Sequence, residues 1–244
     1  MPDFNPAHAA FPAWVPRGFG RLPMNTAPVL PIGLDLAAVF LFALTGAWAA
    51  VKRDYDFVGV TALAFVVGVG GGLIRDGVFL QQGAPAAVQD VRYLWAVLAA
   101  TVVGVLLHPV AGRLDRFIAV VDAAGLGAYA VVGVQKSLAA GIPLAGAVLV
   151  GVVNAVGGGL IRDVLVREEP LFFKPGQFYA LAALAGCIIF VSLLEFAQLR
   201  FEYAAWSAIA ATFVFRMLAI EFNWRTGPVR RWDWRRRSGD KEPD

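Results

Sequence analysis

Charge and reactive side chains are what this chain has least of. Only 16% of its residues are charged, against roughly 25% in ordinary soluble domains. A chain of 244 residues with so few charges cannot cover a water-facing surface, so lipid is its expected solvent. One cysteine, Cys187, excludes an intrachain disulfide. Two histidines, His8 and His108, leave no His-rich metal site. There is no Gly-x-x-x-x-Gly-Lys-Ser/Thr loop, no His-Glu-x-x-His and no Gly-x-Ser-x-Gly. The chemistries those motifs serve are excluded, and neither enzyme activity nor a cofactor is expected. Gly68, Gly70 and Gly71 mimic the start of a dinucleotide fingerprint, but Leu73 stands where its third glycine belongs and no strand precedes it.

Apolar sequence is abundant: 59% of residues are hydrophobic and the mean hydropathy is +0.66. A bilayer core of about 30 Å needs about 20 mostly apolar residues per helix. Seven such spans are expected, at Gly33–Val51, Phe57–Leu80, Tyr93–Pro109, Phe117–Leu138, Ile142–Val166, Phe178–Ala197 and Tyr203–Ile220. The second and fifth are interrupted by glycines. The predicted fold is all-α, a polytopic membrane protein. Residues 1–31 hold seven prolines and no basic start ahead of an apolar run. They read as a surface arm, with the first span as uncleaved insertion signal.

Within the spans one element occurs twice. Gly70-Gly71-Gly72-Leu73-Ile74-Arg75-Asp76 returns as Gly157-Gly158-Gly159-Leu160-Ile161-Arg162-Asp163, an offset of 87 residues. Asp35 matches Asp122, Ala43 matches Ala130 and Gly46 matches Gly133 at the same offset; Tyr93 aligns with Tyr179 once one residue is deleted. Each unit therefore holds three spans, over residues 32–116 and 117–200. Three is odd, so the second unit enters the membrane from the opposite side and the repeat is inverted. A seventh helix at 201–222 lies outside the symmetry, and a basic tail follows at 223–244.

The tail fixes the expected orientation. Lys52, Arg53, Arg113, Arg116, Arg162, Arg167 and Lys174 share its side; Arg17, Arg21, Arg75, Arg92, Lys136 and Arg200 lie on the other. The positive-inside rule then puts the C-terminus in the cytoplasm and the N-terminus outside. The net charge of +3 sits largely in this tail, whose expected partners are anionic lipid headgroups and not nucleic acid.

Glycine is less favourable than alanine in a helix by about 1 kcal/mol, so each triplet is expected to be a soft spot that interrupts or kinks its helix. At 1.5 Å per residue, Gly70 falls about 20 Å along the second span and Gly157 about 22 Å along the oppositely directed fifth. The two soft points would flank the midplane, the geometry of a pore or an alternating-access site. Gly68-x-x-x-Gly72 is also a small-xxx-small pattern that serves close helix packing, and the two readings are compatible.

Charges inside spans usually mark paths for ions or substrates. Asp35–Arg75 and Asp122–Arg162 can be ion pairs that lock each unit, or groups that line a path; both readings stand. If the arginines are so paired, Asp76 and Asp163 are left free to bias the two mouths toward cations. Asn154 can hydrogen-bond a neighbouring helix or line the path. Lys136 and Arg216 are expected to snorkel to the interface.

Two Asp-led spans, the doubled Gly-Gly-Gly-x-Ile-Arg-Asp element and third spans opening on an aromatic resemble the prokaryotic trimeric intracellular cation (TRIC) channel family, also described as glycine transporter domain proteins. The resemblance covers residues 33 to 221. It implies a seven-helix protomer, a homotrimer with one pore per protomer, and passage of monovalent cations such as potassium and sodium across the bacterial inner membrane. It also implies that the second and fifth helices are kinked at Gly70, Gly71, Gly72, Gly157, Gly158 and Gly159 and line the pore. A carrier for a small zwitterion such as glycine, or a membrane scaffold, would suit the same inverted architecture.

Overall fold

A computed structural model describes residues 31–107, 114–173 and 178–224. The expected N-terminal arm and basic tail, and with them the tail's lipid contacts, lie outside the described residues. The regular structure of the described residues is all helical. Seven long helices follow one another: α1 (Ile32–Val51), α2 (Phe57–Ile74), α3 (Val91–Leu106), α4 (Leu114–Ala139), α5 (Leu144–Leu165), α6 (Tyr179–Glu195) and α7 (Phe201–Glu221), with a four-residue turn of helix at Ala86–Gln89 between α2 and α3. Five segments are long and apolar enough to cross a membrane: α1, α2 with its extension to Leu80, α4, α5 and α7. The other two, α3 and α6, are shorter apolar helices.

Helix starts are set by local chemistry. Asp56 accepts a hydrogen bond from Gly59 N at 2.7 Å and caps α2, satisfying one of the amides that a helix leaves unpaired at its start. Asp90 caps α3 by accepting from Arg92 N at 2.9 Å; the Arg92 guanidinium bonds the same carboxylate and holds it below its ordinary pKa. Pro31 and Pro143 precede α1 and α5. Between α4 and α5 the chain reverses in a few residues, and Gly141 takes the left-handed turn position, with φ of +82°.

In the first unit α1, α2 and α3 pack on one another; in the second α4, α5 and α6 do the same. The units join through α1 against α4 and α2 against α5, and α7 covers α4 and α6. Asp35, near the start of α1, bonds Lys136, near the end of α4. The equivalent helices thus run antiparallel, as an inverted repeat requires. Phe42, Trp48, Val67, Tyr129 and Phe190 fill the interior, while Trp95, Phe117, Leu149, Ile188 and Trp206 point outward as a lipid-facing helix would have them.

The break expected at the triplets is absent. Both triplets lie within continuous α-helix, and α5 runs unbroken from Leu144 to Leu165. In α2 the geometry changes only after the signature isoleucine, where Arg75–Leu80 form a π-helical turn that ends on left-handed Gln81. An interrupted ladder in hydrocarbon would strand backbone groups without water. That cost outweighs glycine's weak helix propensity.

Candidate functional site

The signature charges form two clusters, one per unit. In the first, Arg75 donates through Nε to Asp76 Oδ1 at 2.6 Å and through Nη2 to Asp76 Oδ2 at 2.9 Å. The second carboxylate oxygen also accepts Ala86 N at 3.1 Å, which ties the following loop to the π turn. Asp35 stands 3.7 Å from Arg75. Its Oδ2 is claimed at closer range by the Tyr93 hydroxyl at 2.7 Å and by Lys136 Nζ at 2.6 Å. The remaining guanidinium nitrogen, Arg75 Nη1, points to Asn154 Oδ1 at 3.4 Å.

In the second cluster the hydrogen bonds of Arg162 stay within its own unit. Arg162 donates through Nη1 to Asp122 Oδ1 at 2.8 Å and through Nε to Asp163 Oδ1 at 3.0 Å. Asp163 Oδ2 accepts Leu171 N at 3.0 Å, matching the Ala86 contact of the first cluster. Arg216 of α7 lies over the Tyr179 ring, 5.0 Å from its centroid.

Three expectations are corrected here. Asp76 and Asp163 are not free: each is bound by the arginine beside it and by a loop amide. Next to an aspartate a guanidinium fork can engage two carboxylates at once, which spacing along the sequence does not reveal. Lys136 does not snorkel but bonds buried Asp35. Arg216 is itself buried. Lys136 meets a carboxylate inside the bundle, and Arg216 an aromatic face.

Between the clusters α2 and α5 cross at the triplets with backbone against backbone. A methyl placed on Gly71 would overlap the Asn154 carbonyl oxygen, and one on Gly158 would stand 2.6 Å from the Val67 carbonyl oxygen. Val67 and Asn154 occupy the same repeat position, so the two contacts are reciprocal. A methyl on Gly70 would meet the end of Ile161, and one on Gly157 the Gly71 backbone at 3.1 Å. Gly159 faces the Tyr179 hydroxyl, whereas Gly72 has only the Arg75 guanidinium at 3.6 Å. Beside the crossing Phe42 stacks on Tyr129, with centroids 5.2 Å apart and planes 15° from parallel. The Tyr129 hydroxyl donates to the Gly68 carbonyl at 2.6 Å. Phe42 and Tyr129 are also repeat equivalents. Their shared offset of 87 was legible in the sequence, although nothing in it gives the stacking.

Two cavities lie near opposite ends of α4. One, of about 310 Å³, is bounded by Asp76, Gln82, Gln89, Gln135 and Lys136. The other, of about 230 Å³, is bounded by Lys52, Arg53, Asp122, Arg162, Asp163 and Arg216. Asp122 and Lys136 are about 21 Å apart along the α4 axis at 1.5 Å per residue. Each cavity thus has a signature aspartate in its lining, Asp76 in one and Asp163 in the other.

A family model described as glycine transporter matches residues 32–109 and again 119–195, once on each three-helix unit. The chain belongs to the TRIC family. A UPF0126 membrane protein of Streptomyces coelicolor is 40% identical over 200 residues, covering 82% of this chain and 90% of the relative. The UPF0126 inner membrane protein YadS of Escherichia coli is 33% identical over 191 residues, covering 78% and 91%. Among solved structures, the TRIC trimeric intracellular cation channel orthologue from Rhodobacter sphaeroides superposes with a TM-score of 0.74 at 34% identity, covering 78% of this chain and 97% of that one. The TRIC fold accounts for the architecture of two inverted units and a seventh helix. This is a multi-pass membrane protein.

Proposed function

We propose that this chain is a passive channel for monovalent cations, potassium and sodium, with a pore inside each protomer between α2 and α5. The observation that carries the reading is the pair of cavities near opposite ends of α4 together with the α2–α5 crossing, where two backbones touch without intervening side chains. Separating α2 and α5 at Gly71 and Gly158 would join the cavities into one wet path. The described conformation is the closed one. Likeness to structures of TRIC cation channels supports the same reading.

The protein assembles as a homotrimer in the bacterial inner membrane, with its C-terminus in the cytoplasm; family likeness supports the first statement and the basic tail the second. Since the arginines are matched to carboxylates within both clusters, the aspartates neutralise guanidinium charge along the path and so keep it passable to cations. A glycine carrier is the other reading. Both cavities are present in one conformation, which favours a channel, because alternating access presents its site to one side at a time.

Flux from proteoliposomes tests this. The channel passes potassium down its gradient, without saturation by external glycine and without glycine counterflow. Saturable counterflow of labelled glycine in the absence of ionic flux would replace the channel with the carrier.

A further inference from the structure

The repeat makes one position conspicuous. Val67 and Asn154 are equivalent: each is buried against the matching glycine of the neighbouring helix, Gly46 or Gly133, and each presents its carbonyl to the other unit's triplet. Packing at this point therefore needs only a side chain of valine size, and the first unit uses one. The second unit places a carboxamide there, wholly out of reach of solvent. A buried amide without partners is destabilising, so its bonds explain its presence.

Those bonds run across the molecule. Asn154 Nδ2 donates to the Tyr129 carbonyl of α4 at 2.7 Å, and Oδ1 faces Arg75 Nη1, in the π turn that continues α2, at 3.4 Å. In the second unit the corresponding nitrogen, Arg162 Nη1, turns to Asp122 of its own unit. Arg75 Nη1 is released for a contact across the units because Lys136 and Tyr93 occupy Asp35. One side chain thus links α2, α4 and α5 at the level where the triplets touch. Any motion that parts α2 from α5 there must break the contact between Arg75 and Asn154.

We infer that Asn154 is the positioning residue that holds the α2–α5 crossing shut, by joining Arg75 to the Tyr129 carbonyl across the two inverted units. The inference rests on the channel reading for its electrical consequence, but not for its mechanical one. Asn154→Val copies the first unit and keeps the packing volume while removing both bonds. In planar bilayers this variant is expected to raise open probability about tenfold, with unitary conductance and ion selectivity unchanged. Arg75→Gln should raise it too, and the double variant should add little to the larger single effect, because both changes break the same contact.

Hydrogen–deuterium exchange in nanodiscs supplies a readout that needs no current. Amides over residues 70–75 should exchange several-fold faster in Asn154→Val, while those of α7 are unchanged. Faster exchange combined with no cation current in the wild type would keep the latch and remove the channel reading. A folded Asn154→Val protein with wild-type exchange and wild-type open probability would overturn the inference. So would a change in conductance or selectivity alone, which would make Asn154 a lining group instead. A variant that fails to fold would be followed by Asn154→Thr, which keeps the volume and one acceptor and is expected to show a smaller shift in the same direction; its absence also overturns the inference.

Discussion

Seven identical residues build two unlike charge clusters. Around Arg162 the carboxylates of Asp122 and Asp163 share one guanidinium, and every partner belongs to the second unit. Around Arg75 only Asp76 is held closely, because Lys136 and Tyr93 have taken Asp35 and Asn154 takes what is left of the guanidinium. Lys136 and Asn154 both come from the second unit. Duplication gave the same signature twice, and divergence outside it made one cluster self-contained and the other a junction between units. A local signature therefore sets which groups are present, while distant residues decide how they pair.

The largest expected effect breaks the self-contained cluster. Arg162→Ala leaves Asp122 and Asp163 buried without their cation and should cost about 3–5 kcal/mol, seen as a large drop in thermal midpoint or loss of folded protein. Arg75→Ala should cost less, about 1–3 kcal/mol, because Asp35 keeps Lys136 and Tyr93. Equal losses for the two variants would mean that the clusters are equivalent after all.

Next come the glycines. Alanine at Gly71 or Gly158 would drive a methyl into a backbone carbonyl of the facing unit and should cost about 1–3 kcal/mol. Gly72→Ala meets only the arginine side chain and should be neutral or stabilising by up to about 1 kcal/mol. Thermal unfolding of the three variants in one detergent ranks them. Tyr93→Phe removes one of the two short hydrogen bonds to Asp35 and should cost about 1 kcal/mol; the same change at Tyr179 tests whether the second cluster depends on its tyrosine at all.

The smallest effect is at the surface. Arg53 on the α1–α2 connection pairs with Glu168 beyond α5, and the glutamate is about half exposed. Arg53→Ala should shift stability by no more than about 1 kcal/mol, and the shift should fade as salt is raised past the screening range.

Much of this was legible in the sequence, for reasons the elements make plain. A 20-residue apolar run such as α1 can do little in lipid except form a helix, and an odd number of spans per repeat forces inversion. The arginine–aspartate clusters were also within reach, since a charge in hydrocarbon must find a partner. The free aspartates were misjudged because nothing in the spacing tells whether Arg75 turns to residue 35 or to residue 76. The helices are not interrupted at the triplets because propensity weighs a helix in water, whereas here Gly71 and Gly158 act by lacking a Cβ at a crossing. Asn154 stood out as a polar residue in an apolar span and does bond a neighbouring helix, but the partners of Asn154 and Lys136 carry no local signal; the repeat places Ala49 and Val67 at their equivalent positions.

The central claim is that backbone contact between α2 and α5 at the triplets closes the path. Single-channel recording of Gly71→Ala against wild type, at matched voltage and protein density, tests it most directly. A methyl that the closed crossing cannot accommodate should raise open probability and leave unitary conductance as it was. A folded Gly71→Ala channel with unchanged open probability would contradict the account, because the path would then be closed somewhere else.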